Sequence, residues 1–290
     1  HGRIVPAAPS WSTRRAFDDA TVGRQHPARM NVAKPILWKG FYELLGRYTR
    51  RRGVDFSTMN FGYDDGRALV DPAEAERFSL QLYARVVDGL DLGGKRVVDV
   101  SCGRGGGLSW IHANRGPAES IGIDLTPVNV AMCTERFARP NLSFRVGSAT
   151  AIPLPDRSVD VLVSVEASHC YGDIDRFLAE AARVLKDDGV LCWTDFEKVR
   201  ATPARRASIA GKFGSIEEDD IGPHVVRALQ LDRDRRRDLI RTHTSSSFWR
   251  ALDHFAGASA EADTYRRFAE KRSLYFLRRL RAPQRPANDS

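Results

Sequence analysis

Acidic, glycine and imidazole positions in the middle of this chain carry spacing that could do chemistry. The run Arg96-Val97-Val98-Asp99-Val100-Ser101-Cys102-Gly103-Arg104-Gly105-Gly106-Gly107 brings an apolar, strand-like stretch to an acid and then to a glycine turn. Glycines at Gly103, Gly105, Gly106 and Gly107 remove Cβ atoms that would hold a ligand away from the backbone, and the amides that open the following helix are expected to face that ligand. Twenty-five residues after Asp99, a second apolar run, Glu119 to Asp124, ends in another acid. That acid is placed to accept from ribose hydroxyls. Further on, Glu166 and His169 follow the strand-like run 159–165. An imidazole titrates near pH 6.5 (about 6.5 unperturbed), which suits a general base at working pH.

Two ligand classes compete for such a turn. A dinucleotide would bring a doubly charged pyrophosphate against Asp99. S-adenosylmethionine would bring an ammonium and a sulfonium, and the carboxylate favours it. A structural turn that only packs helix on strand is the plainer alternative. The proton acceptor is expected to be His169, with Glu166 either replacing it or orienting it; His224, His243 and His254 are competitors from the region beyond residue 197. Tyr63, in the aromatic-glycine-aromatic loop Met59 to Asp65, is expected to close its ring over the sulfonium. No His/Cys/Asp/Glu spacing suits a metal, and none is expected. A Gly-x-Ser-x-Gly elbow and a phosphate loop ending in Lys-Ser/Thr are both absent from the sequence.

The elements that must position these residues alternate. The pattern predicts strand 96–101, helix 105–114, strand 119–124, helix 127–138, strand 141–147, strand 159–165, helix 173–186 and strand 189–195. Such alternation implies a doubly wound, Rossmann-like α/β fold: a mainly parallel sheet with helices on both faces and ligands beyond the strands' carboxyl ends. Residues 1–29 read as an irregular or tag-derived lead, with Met30 a candidate native start. A helical lead follows over 35–48, whose stripe Trp38, Phe41, Leu45 and Tyr48 is expected to pack on the core or cover the site rather than touch a membrane. Asp71-Pro72 is expected to open a helix running to about Leu90. A helical insertion over the cleft is expected at about 197–246, a helix at 248–255, a late strand at 274–277 on the sheet edge, and a flexible tail at 282–290. One domain thus spans 30–281.

The chain has 290 residues, 42% hydrophobic and 28% charged, with net charge +8, and no apolar run of the roughly 20 residues a membrane span needs. The arginine excess is spread over helical faces, and no nucleic-acid signature accompanies it, so no nucleic-acid partner is expected. Cys102, Cys133, Cys170 and Cys192 lack metal spacing and read as reduced thiols of a cytoplasmic protein.

Taken together, these residues resemble the class I S-adenosylmethionine-dependent methyltransferases. The likeness is closest over roughly 95–200 and looser at Asn60-Phe61-Gly62-Tyr63 and around Tyr265 and Tyr275. The runs Val100 to Gly107, Val165 to Tyr171 and Arg176 to Leu185 are similar to the actinobacterial lipid and polyketide O-methyltransferases: phthiotriol dimycocerosate, fatty-acid and macrolide enzymes. That resemblance implies S-adenosylmethionine as donor and S-adenosylhomocysteine as product. It implies Asp99, Ser101, Gly103 and Gly105 around the methionine part, Asp124 on ribose, Leu125 against adenine, Ser148 and Ala149 framing adenine, and Glu166 to His169 where sulfonium and acceptor meet. Two positions depart from the family pattern: Ser101 stands where Gly is commoner, and Ser148 where many relatives carry Asp. The expected reaction is O-methylation of a hydroxyl or carboxyl on a hydrophobic polyketide or lipid, free or carrier-tethered. C-methylation of a prenyl- or sterol-like acceptor and a cofactor-binding scaffold are the alternatives, and a homodimer is among the open assembly states.

Overall fold

The computed structural model describes residues 33–243 and 263–283. The expected irregular lead at 1–29, the helix at 248–255 with His254, and most of the C-terminal tail lie outside the described residues.

Parallel strands covered on both faces must be apolar on both faces, and the central runs are. Strands β1 (Arg96–Val100), β2 (Glu119–Asp124), β3 (Leu142–Val146), β4 (Val159–Val165) and β5 (Leu185–Lys198) pair in parallel in the order β3-β2-β1-β4-β5. Side chains alternate between the two faces. Val97, Val161 and Val163 pack with Leu108 and Tyr83 in one core, while Val98, Val100 and Leu162 pack with Phe177 and Trp193 in the other. Helices α2 (Arg77–Val86) and α3 (Gly106–Arg115) contribute to the first core and α5 (Ile174–Val184) to the second. Helix α4 (Pro127–Phe137) connects β2 to β3.

The strand order reverses between β1 and β4, the topological switch point where doubly wound sheets bind ligands. The residue after β1 is Ser101 and the residue after β4 is Glu166. Both hold left-handed backbone, at φ 64° and 47°. Side chains other than glycine occupy that region at a cost, so both strands end in sharp turns at the cleft.

Three expectations need correction. Asp71-Pro72 makes a turn, not a helix start: the Asp71 carboxylate accepts from Ala73 N at 2.9 Å, and α2 begins at Arg77. The 197–246 segment is not all helical. It holds α6 (Thr202–Ala210), α7 (Gly222–Leu231) and α8 (Arg233–His243), but also β6 (Ser215–Asp220). The late strand β7 (Ser273–Arg281) is longer than expected and interior, antiparallel to β5 on one side and to β6 on the other, so β6 is the edge. Its Arg278 is fully buried and donates to Glu197 of β5 and Glu218 of β6, each at 2.5 Å. The acids that conceal β6 in the sequence are thus partners of a buried arginine.

Helix α1 (Ala33–Arg51) frames the cleft, while α9 (Asp263–Ala269) packs against α7 and β7. Helix α1 contacts α4 and the turn Ser168–Cys170 that follows β4. The four cysteines are free thiols, and Cys102, Cys133 and Cys192 are buried.

Candidate active site

A cavity of about 390 Å³ opens at the switch point, within the ~300–1,000 Å³ range of small-molecule sites. Its floor comes from the strand ends: Ser101, Cys102 and Gly103 after β1, Asp124 and Leu125 after β2, Ser148 and Ala149 after β3, and Glu166 and Ala167 after β4. Helix α1 covers it with Ile36, Trp38, Lys39 and Tyr42, and the loop Ser57–Asn60 closes a side. That loop is tied down by the Glu76 carboxylate, which accepts from Ser57 N at 2.7 Å and Thr58 N at 2.9 Å.

Of the ten positions expected to hold the cofactor, Ser101, Gly103, Asp124, Leu125, Ser148, Ala149 and Glu166 line this cavity. Asp124 is held in place from two sides. Its Oδ2 accepts from Gly103 N at 3.0 Å, and its Oδ1 accepts from Thr126 N at 2.9 Å. Burial pushes its carboxyl up from the usual range, against the pull of these hydrogen bonds. The Ser101 hydroxyl lies 2.9 Å from the Tyr171 hydroxyl, so the serine that replaces glycine here has a partner.

Tyr63, Asp99 and Gly105 lie elsewhere. Tyr63 is buried away from the cavity: its hydroxyl donates to Asp65 at 3.0 Å and its ring packs on His224. The loop turns that way because Gly62, at φ 86°, lies flat on the Phe78 backbone, 3.1 Å from where a Cβ would stand. Asp99 is fully buried behind Tyr83, whose ring lines the cavity and whose hydroxyl donates to Asp99 Oδ2 at 3.3 Å. Asp99 Oδ1 has no partner, and burial pushes this carboxyl well above its usual range. Gly105 fits against Cys133 and Phe144, which a Cβ would meet at 2.9 Å. The amide of Gly106 is likewise spent, donating to the Ser57 carbonyl at 2.9 Å. Most of the glycine run therefore admits protein rather than ligand, and Gly103 alone among Gly103, Gly105, Gly106 and Gly107 lines the cavity.

A second cavity of about 180 Å³ adjoins the first and shares Tyr42, Thr58, Met59, Asn60 and Glu166 with it. Its own wall is largely apolar, with Leu45, Val54, Phe56, Phe61, Leu239 and Ile240, and it carries His169. Register brings Asp195 to this histidine: Val165 pairs with Thr194, so the residues after β4 meet β5 one step further on. Asp195 accepts from His169 Nδ1 at 3.0 Å, His169 N at 2.9 Å, Ser168 Oγ at 2.6 Å and Phe196 N at 2.8 Å. An ionised carboxylate can only accept, so Nδ1 carries the proton and Nε2 is the nitrogen able to act as a base; the ring also shares a side-chain hydrogen bond with Cys170. Burial opposes the imidazolium, but the Asp195 charge and hydrogen bond prevail and lift His169 well above its ordinary value. The ring is stacked on Phe196, 4.7 Å between centroids, with Trp38 edge-on at 6.0 Å. Glu166 is pinned at Oε1 by Phe61 N at 2.7 Å and by the Tyr275 hydroxyl. Burial raises it to about 7.

Of the competing histidines, His224 packs on Tyr63, whereas His243, at the end of α8, lines the second cavity together with His169. Two arginines of α8, Arg235 and Arg236, are engaged within the protein. Arg235 pairs with Asp232 at 2.6 Å, and Arg236 pairs with Asp232 at 2.8 Å while donating to the carbonyls of Asn60 and Phe61. Sequence reasoning missed Tyr42 and Asp195, and named Met59 only as the first residue of the loop Met59 to Asp65; Tyr42 left a trace as an aromatic beside the α1 stripe. Among the described residues no group of three or more His, Cys, Asp or Glu is placed to hold a metal ion.

The first cavity joins carboxylates, hydroxyls and an apolar surface, a set suited to a nucleoside that carries a cation. A Rossmann-like sheet with that set at its switch point defines a class I methyltransferase architecture. Residues 98–193 match the family model described as Methyltransferase domain. The chain is 33% identical over 238 residues to the probable phthiotriol/phenolphthiotriol dimycocerosates methyltransferase 2 of Mycobacterium ulcerans, covering 80% of this chain and 91% of that protein. It is 33% identical to the fatty-acid O-methyltransferase of Mycolicibacterium smegmatis over 68% of this chain and 75% of that one. In fold it is similar to the 4+2 cyclase SpnF, at a TM-score of 0.68 and 20% identity over 86% of this chain and 97% of that chain. The chain belongs to the family of these methyltransferases, and it is an S-adenosylmethionine-dependent methyltransferase.

Proposed function

We propose that this enzyme methylates an oxygen, of a hydroxyl or a carboxyl, on a hydrophobic lipid or polyketide-type acceptor. The observation that carries the reading is the His169–Asp195 pair on the wall of an apolar cavity that adjoins the nucleoside-sized one through Glu166. The relatives support it by name: one acts on phthiotriol dimycocerosates and the other is a fatty-acid O-methyltransferase.

When bound, S-adenosylmethionine supplies a methyl carbon activated by its sulfonium centre. The chain's own residues then divide the work. Asp124 takes the ribose hydroxyls, Leu125 and Ala149 flank the adenine, and Ser148 accepts from its amino group. Ser101 and Gly103 border the methionine part. The Glu166 carboxylate faces the cationic end. The acceptor lies among Leu45, Phe61, Leu239 and Ile240, and alignment of its oxygen with the methyl carbon is the largest contribution such a site makes. His169 Nε2 would take the hydroxyl proton as the oxygen–carbon bond forms and the methyl–sulfur bond breaks to leave S-adenosylhomocysteine, and Asp195 would hold the ring and steady the imidazolium. A carboxyl acceptor is already ionised and needs no base. This separates the two acceptor classes.

The test is turnover of a matched pair, a long-chain fatty acid and the corresponding long-chain alcohol, by the wild type and by His169→Ala. Loss of alcohol methylation with S-adenosylhomocysteine binding intact supports the reading. Full alcohol turnover without His169 overturns its role as the base, and turnover of neither substrate by the wild type overturns the oxygen-acceptor reading.

A further inference from the structure

Helix α1 separates the two cavities from solvent and has two unlike faces. Trp38, Tyr42, Leu45 and Thr49 recur at helical spacing and line the cavities. On the opposite face stand Leu37, Gly40, Leu44, Arg47 and Arg51, with Ile36 at the rim of the larger cavity. Ile36, Leu37 and Leu44 are 72%, 74% and 65% exposed. They are three of the six large hydrophobics exposed among the described residues, so the exposure is concentrated on one helix. The helix is also strongly basic, with Lys34, Lys39, Arg47, Arg50 and Arg51 against Glu43 alone. Arg47 bonds Glu43 and Arg50 bonds Glu135 on α4, while Lys39 and Arg51 are exposed.

We propose that the outer face of α1 docks on an anionic lipid surface, so that the helix roofing the acceptor cavity is also the element that meets the lipid. Exposed aliphatics followed by a basic turn are what an interfacial helix needs: apolar side chains enter the acyl boundary and cations stay at the phosphates. The combination also carries a charge argument. An acidic protein partner would satisfy the arginines, but it would not by itself account for three large aliphatics standing in water on the helix end that borders the cavity. This inference deepens the lipid-acceptor reading, yet the measurement below is made without cofactor or acceptor and is independent of it.

The experiment is co-sedimentation of the full chain with phosphatidylcholine vesicles containing phosphatidylglycerol, against pure phosphatidylcholine vesicles. The wild type is expected to bind the anionic vesicles, and less as salt rises. Leu37→Asp/Leu44→Asp, at two positions that line neither cavity, is expected to weaken binding at least roughly tenfold. Calorimetry with S-adenosylhomocysteine, expected to be unchanged, shows that this variant is folded. No binding by the wild type, equal binding by the folded double variant, or capture by an acidic carrier protein in place of vesicles would each overturn the docking. Vesicle binding without methyl transfer to any lipid acceptor would sink the substrate reading and leave the docking standing. Transfer to a detergent-dispersed fatty acid without vesicle binding would do the reverse.

Discussion

His169 Nδ1 lies 3.0 Å from Asp195 Oδ1, and the two come from opposite sides of the β4–β5 strand pair. Asp195 is fully buried with its usual charge reinforced: burial raises it, but His169, Ser168 and Phe196 hold it below the ordinary carboxylate range. The histidine is correspondingly raised above its ordinary value by the Asp195 charge and hydrogen bond, against the opposing effect of burial.

A base must be deprotonated to act. Activity on an alcohol acceptor should therefore rise with pH, with a limb above the ordinary imidazole value of about 6.5. Asp195→Asn removes the charge that lifts His169, so the limb should move to lower pH while kcat falls about 10²–10⁴-fold from the lost tautomer and orientation. A pH–rate profile of the variant checks both. A limb that does not move would remove Asp195 from this role. The stability sign follows from the same shift: the folded pair favours the protonated histidine, so its contribution is full below the unfolded imidazole value and is lost as pH rises through the raised one.

Glu166 offers a second titration. Its folded value of about 7 lies above an unfolded carboxyl, so apo stability should decline as pH rises from about 4.3 to 7. A neighbouring sulfonium favours the ionised form. S-adenosylmethionine carries that charge and S-adenosylhomocysteine does not. The ratio of their affinities should thus turn toward S-adenosylmethionine as pH rises through about 7, and Glu166→Gln should flatten the dependence. Calorimetric titration of both ligands from pH 5.5 to 8.5 measures it.

Asp124 is the acid whose position could be read directly from the sequence, because it ends an apolar strand next to a glycine turn. Asp124→Ala should weaken S-adenosylhomocysteine binding about 10–100-fold, the cost of leaving hydrogen bonds to a charged group unmade. The same change releases Gly103 N and Thr126 N. Asp124→Asn, which keeps an acceptor oxygen, should recover part of the affinity; equal loss in both variants would mean that the charge matters more than the bonds.

The parallel half of the sheet was legible because its central strands β1, β2 and β4 are buried on both faces and read as apolar runs. β2 and β4 lie where that pattern puts them. β6 was not legible. Ser215–Asp220 is mostly acid, and what makes it a strand is Arg278 across β7. Asp195 was hidden for a related reason: it is 26 residues from His169, inside an apolar strand, and only register joins them. The Tyr63 loop misled because aromatic and glycine residues suit a lid as well as a packed turn. Gly62 against Phe78 decides between them, a tertiary contact that has no local signature.

Arg278 gives a stability prediction. It has no side-chain exposure and is flanked by Glu197 and Glu218. Glu218 is held below its usual range: burial opposes this, but the hydrogen bond from Arg206 and the Arg278 charge win. That contribution is present above the unfolded carboxyl value and is lost as pH falls through the depressed one. Arg278→Ala strands two acids beside β7 and should cost about 3–5 kcal/mol. Guanidinium melts at pH 7 and pH 4 test it, and the deficit should shrink at the lower pH, where Glu218, no longer held down by Arg278, can take up a proton.

The division between donor and acceptor cavities is testable at Leu45, which lines the smaller cavity and not the larger. Leu45→Trp fills space there without touching Asp124, Leu125 or Ser148. It should raise the acceptor KM about tenfold or more for long-chain substrates, since each excluded methylene forfeits about 0.8 kcal/mol of burial, and it should affect short-chain analogues less. S-adenosylhomocysteine affinity should not change. Steady-state kinetics over a chain-length series, with calorimetry for the cofactor, reads the two cavities separately. A shift in cofactor affinity equal to the shift in acceptor KM would mean that α1 moves as a unit over both cavities and that the walls assigned to each are shared more widely than Tyr42, Thr58, Met59, Asn60 and Glu166.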